Sequence, residues 1–109
     1  MAIFGIGAVG GVMLAMHVLR GRLAPWFLSV GHAAAGATGI VLVLIAFLQS
    51  TGGSRVGWVL GIFVLAAIGG FYLASFHARQ KFPPRAAVLA HGALAIIGFV
   101  TLLMVVLGA

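Results

Sequence analysis

The sequence predicts an all-α membrane protein: a four-helix up-down-up-down bundle built from two parallel hairpin repeats. Three observations carry that reading. Of 109 residues, 64% are hydrophobic and 6% are charged, whereas a water-soluble domain carries about a quarter charged residues. The apolar residues gather into four runs, at about 2–19, 26–48, 56–78 and 85–107, each near the roughly 20 residues that a helix needs to cross a bilayer. The connections between the runs are short, which makes consecutive helices antiparallel neighbours.

Each element follows from its own residues. The first run, Ala2 to Leu19, lacks the basic start and small-residue cleavage site of a secretory signal, so it is expected to remain as a span. Arg20, Gly21, Arg22 and Pro25 break it. Pro25 precedes the second run, Trp26 to Leu48, and Pro84 precedes the fourth, Arg85 to Leu107, where a starting helix tolerates proline. The polar, glycine-rich segment Gln49 to Arg55 leads into the third run, Val56 to Ala78, which ends at Arg79, Gln80 and Lys81. One transmembrane domain over 1–109 is expected, with no second domain and no soluble tail.

Composition excludes much chemistry. There is no Cys, hence no disulfide, thiolate zinc site, iron–sulfur cluster or covalent c-type haem. There is no Asp or Glu, hence no paired-carboxylate catalysis and no hard-cation site. The formal charge of +6 does not imply nucleic acid, because the cations sit in turns between apolar spans. Arg20, Arg22, Arg79, Lys81 and Arg85 fall on one side and Arg55 on the other. The positive-inside rule then places both basic turns in the cytoplasm and both termini outside, in a bacterial inner membrane with the termini periplasmic. Trp26 and Trp58 are expected as interface anchors.

The two hairpins look like copies. A shift of 60 carries Gly10 onto Gly70 and His17 onto His77, and a shift of 59 carries Pro25 onto Pro84, His32 onto His91 and Gly39 onto Gly98. One residue gained or lost in the turn would reconcile the two shifts. The first and third helices run the same way, so the copies are parallel repeats about an axis along the membrane normal.

Each span carries one histidine, His17, His32, His77 and His91, all in the half nearest the basic turns. Ionisable residues at membrane depth are costly and point to function. Seven residues from each, toward the bilayer centre, stands a glycine: Gly10, Gly39, Gly70 and Gly98. Seven residues are nearly two turns on one face, about 10 Å. A histidine above a step without a side chain makes a flat slot, and Gly36, one turn from His32, widens it. Such a slot suits haem, which needs axial imidazoles, apolar walls and cations for its propionates; Arg20, Arg22, Arg79, Lys81 and Arg85 are available for the last. One haem would use His17 with His77 or His32 with His91. Two haems would use His17 with His32 and His77 with His91, or the crossed pairs. A bare copper or zinc ion is the alternative, held by three or four of the same histidines. Gly7, Gly11, Gly53, Gly57, Gly61 and Gly92 are read as close-packing positions, and Met13 and Met16 as filler beside His17. Thr38, Tyr72 and Ser75 are candidates for hydrogen bonds across helices or into a quinone pocket, and Phe76 and Phe82 for the mouth of a site or for contact with lipid.

With four spans, one histidine per helix, small residues facing the histidines and a basic rim, the chain resembles the small b-type membrane cytochromes. That resemblance implies haem b held non-covalently by paired histidines, and electron transfer to or from quinones. Many larger cytochromes of this kind place haems in both halves of the membrane, whereas here the outer half has no histidine. The expected role is therefore an electron carrier or a quinol-linked oxidoreductase subunit, in lipid, as a homodimer or within a larger redox complex. A cofactor-free structural or assembly subunit is the reading from a different class.

Overall fold

A computed structural model describes residues 2–49 and 54–108. Four helices follow in order: α1 (Ala2–Leu19), α2 (Trp26–Leu48), α3 (Ser54–Ala78) and α4 (Arg85–Val106). The described residues are otherwise turn or coil, without strand. The α1 and α2 bounds match the expected spans; α3 starts two residues early, and α4 stops one early, at Val106, after which Gly108, with φ +73°, turns the chain out of the helix. The turn expected at 49–55 and the close-packing role given to Gly53 lie partly or wholly outside the described residues. All four helices are long and apolar enough to cross a membrane, and this is a multi-pass membrane protein.

Neighbouring helices pack around a square: α1 on α2, α2 on α3, α3 on α4, and α4 back on α1 along the loosest seam. The bundle measures 42 × 22 × 19 Å, long enough for a hydrocarbon core of about 30 Å. Its outer face is apolar all round, with Phe27, Phe71 and Trp58 at 78, 76 and 74% exposure, as suits helices whose solvent is lipid. The interior is small. Phe4, Val43, Val56, Val59, Phe63 and Leu102 form a cluster in the half away from the basic turns, and Val59 is fully buried. No charged or polar residue is fully buried among the described residues.

The repeat keeps one offset throughout. At 59 residues, Phe4 falls on Phe63, Gly7 on Ala66, Ala24 on Pro83, Gly39 on Gly98 and Val43 on Leu102, and both members of every pair are buried. The turns agree. After α1, Gly21 adopts φ +75°, its N–H donates to the Val18 carbonyl and the Arg22 N–H to the His17 carbonyl. After α3, Gln80 adopts φ +53°, its N–H donates to the His77 carbonyl and the Lys81 N–H to the Phe76 carbonyl. Both are Schellman closures, and Pro25 and Pro84 then cap α2 and α4. No residue is gained or lost between the copies. The shift of 60 that paired His17 with His77 is thus corrected to 59, which sets His17 against Phe76 and His77 against Val18.

Ala2, the first described residue of α1, corresponds to Gly61 of α3. An apolar cavity of about 170 Å³ opens at that end between α1, α2 and α4, lined by Phe4, Gly39, Val43 and Leu102 among others.

Candidate functional site: a histidine pair on the bundle axis

Diagonal helices approach only through side chains, at two levels. In the outer half the rings of Phe4 (α1) and Phe63 (α3) stack with centroids 4.2 Å apart and planes 5° from parallel. Gly39 and Gly98 admit them: a Cβ on Gly39 would lie 2.5 Å from Phe4 Cζ, and one on Gly98 3.1 Å from Phe63 Cε1. The flat slots expected beside these two glycines are therefore filled by phenylalanine.

Seven residues toward the basic turns, about 10 Å along the axis, His32 (α2) meets His91 (α4) across the other diagonal. Their ring centroids are 6.1 Å apart, with planes at 88°. The His32 Nδ1–H donates to the Gly7 carbonyl at 2.8 Å, and the His91 Nδ1–H donates to the Ala66 carbonyl at 2.7 Å. Gly7 and Ala66 are themselves a repeat pair, so each imidazole is tied in the same way to the preceding helix. A carbonyl can only accept, which fixes the proton on Nδ1 and leaves Nε2 as a lone pair. Metal-binding histidines are usually oriented by such a bond.

Glycines make room for the rings. A Cβ on Gly11 would lie 2.9 Å from His32 Cε1, and one on Gly70 3.1 Å from His91 Cε1; Gly10 and Gly69 face His32 Cβ and His91 Nδ1. The seven-residue spacing that tied Gly10 to His17 and Gly70 to His77 thus has a different cause, because both glycines serve the histidine of the next helix. Gly36, expected to widen the slot, faces open space, as does Gly92. Gly11 and Gly69 were not singled out as site residues, although the single offset of 59 would have found them as partners of Gly70 and Gly10.

The other two histidines go elsewhere. The His17 Nδ1–H donates to the Met13 carbonyl of its own helix at 2.7 Å. His77 stacks on Trp26 with centroids 4.1 Å apart and planes at 5°. No group of three or more His, Cys, Asp or Glu side chains comes together among the described residues. Four-histidine convergence is corrected to one pair, and His32 with His91 is the only one of the expected pairings assembled as interacting rings.

Arg20, Arg22, Arg79, Lys81 and Arg85 are all exposed at the end of the bundle nearest this pair. Arg79 donates to the Ser75 carbonyl and to Ser75 Oγ, and its guanidinium covers the Phe76 ring at 4.7 Å. Ser75 in turn donates to the Tyr72 carbonyl, so these polar contacts stay within one helix instead of crossing between helices.

The pair's donor set suits a group that asks for two imidazoles. Metal–imidazole bonds of about 2 Å on either side place ring centres about 6 Å apart, close to the 6.1 Å between these edge-to-face rings. Neither the apolar cavity beside Phe4 nor a groove beside Arg20 and Arg22 is lined by His32 or His91. The glycine faces on the α1–α3 diagonal are already filled by the two rings, most closely at Gly11 and Gly70, so a macrocycle would fit there only if the helices moved apart. Comparison with known proteins returns no matching family model, curated protein or solved structure.

Proposed function

We propose that this chain is a b-type haem protein of the bacterial inner membrane that carries electrons and exchanges them with membrane quinol, with one haem b between His32 and His91. The observation that carries this reading is the pair on the bundle axis: two repeat-related imidazoles, each with Nδ1–H tied to a backbone carbonyl, with ring centroids 6.1 Å apart and planes at 88°. When bound, haem supplies reversible one-electron iron chemistry. His32 and His91 would hold the group through their free Nε2 atoms, and with both imidazoles so engaged the site would favour electron transfer over reaction of a bound substrate. Gly7 and Ala66 orient the rings through their carbonyls. The cations of the basic turns offer partners for the propionates, and their positive charge favours the reduced form. The five-to-one bias of those cations supports a cytoplasmic position for both basic turns, with the termini periplasmic.

A bare zinc or copper ion is less well served, since such sites take three or four protein ligands and the described residues assemble two. A cofactor-free reading draws on the same two hydrogen bonds, which join α1 to α2 and α3 to α4 and so brace each hairpin. Optical difference spectra of the purified full chain separate these readings. Soret and α-band changes on reduction are expected, with one iron per chain. His32→Ala or His91→Ala should abolish them, while His17→Ala and His77→Ala should leave them. A wild-type protein without bands, destabilised by the His32 and His91 changes, would establish the brace instead.

A further inference from the structure

The two basic turns are repeat copies, yet only one is closed upon itself. At the end of α3, Ser75 and Phe76 occupy the Arg79 guanidinium, through hydrogen bonds of 3.0 and 3.3 Å and a ring at 4.7 Å. At the end of α1 the same places hold Met16 and His17, and Arg20 stands where Arg79 does. The hydroxyl that accepts from Arg79 is replaced by the weak thioether of Met16, and the ring under the guanidinium by His17, whose Nδ1–H donates to the Met13 carbonyl. Among the described residues Arg20 and Arg22 make no side-chain hydrogen bond. A groove of about 240 Å³ lies there instead, lined by Met13, Met16, His17, Arg20 and Arg22.

We infer that this groove binds one anionic phospholipid of the adjoining leaflet, with its phosphate on Arg20 and Arg22 and an acyl chain along Met13 and Met16. The sequence contains no Asp or Glu side chain to neutralise these cations, so their counter-charge must come from outside the bundle. Two guanidiniums outweigh the roughly half negative charge of the α1 C-terminus, and their forked donors suit phosphate oxygens. Beyond Met13 the apolar path continues over Val12 and Val9, exposed on the lipid side at 59 and 62%. A headgroup site that runs into a hydrocarbon track selects a lipid over a free anion.

The test uses the full chain in zwitterionic nanodiscs or detergent, titrated with phosphatidylglycerol, with inorganic phosphate, or with uncharged diacylglycerol, and read by native mass spectrometry. Saturable binding of one phosphatidylglycerol per chain is expected, with little binding of the other two. R20Q/R22Q should weaken it about thirtyfold, the scale of two near-surface cations, while R79Q/K81Q should leave it unchanged. M16S/H17F, which copies the closed turn onto the open one, should weaken it while both arginines remain. Equal losses from the two arginine-bearing turns, undiminished binding in M16S/H17F, or phosphate binding as tight as lipid would each overturn the inference.

Discussion

Gly39 shows how the bundle spends its glycines. The space that a methyl group would take there is occupied by the Phe4 ring at 2.5–2.9 Å, and Phe4 is held in turn by its stack on Phe63. Gly39→Ala should therefore destabilise the protein by about 1–3 kcal/mol, measured by thermal unfolding in detergent, and Phe4→Leu in the same chain should recover most of the loss. Gly98→Ala, with its nearest atoms at 3.1 Å, should cost less. Gly36→Ala meets nothing within 4 Å and should be neutral or stabilising by up to about 1 kcal/mol. The sequence shows where these glycines stand but not what fills the space beside them, because the filler sits on another helix.

Among the elements, the helix ends are the most constrained. Gly21 and Gln80 occupy the same left-handed position of two otherwise alike closures, and only glycine does so without a steric penalty. Gln80→Gly should raise stability by about 0.5–1 kcal/mol, detectable as a higher unfolding midpoint; a lower one would mean that the Gln80 side chain makes a compensating contact. The spans and turns were legible in the sequence because run length, proline and charge act locally. The roles of His17 and His77 were not. A one-residue error in offset rotates a helical side chain by about 100°, enough to carry His17 onto its own helix's carbonyl and His77 onto Trp26. Applied uniformly, the 59-residue offset names the Phe4–Phe63 and His32–His91 pairs at once; the coincidence of two histidines 60 apart concealed it.

At the scale of the whole molecule, the distribution of charge governs orientation. The chain has no native Cys, so Gln80→Cys and Gln49→Cys can be labelled singly with a membrane-impermeant maleimide. Intact spheroplasts should label at position 49, and position 80 should react only after permeabilisation. Labelling in the reverse order would invert the topology while leaving the axial pair as described. The same whole-molecule view explains why apolar residues cover the outside. The two polar rings on the axis are satisfied from within, and the surrounding lipid asks nothing of the surface except hydrocarbon.

Phe4 meets Phe63 and His32 meets His91, so every contact on the axis joins a residue to its own counterpart, the hallmark of an isologous centre. A single 59-residue hairpin carries each side chain that both levels require, once. Altering one half leaves unlike partners facing each other, whereas the identical alteration in both halves returns like to like. Paired substitutions, not single ones, are thus the natural unit in which this centre can be redesigned.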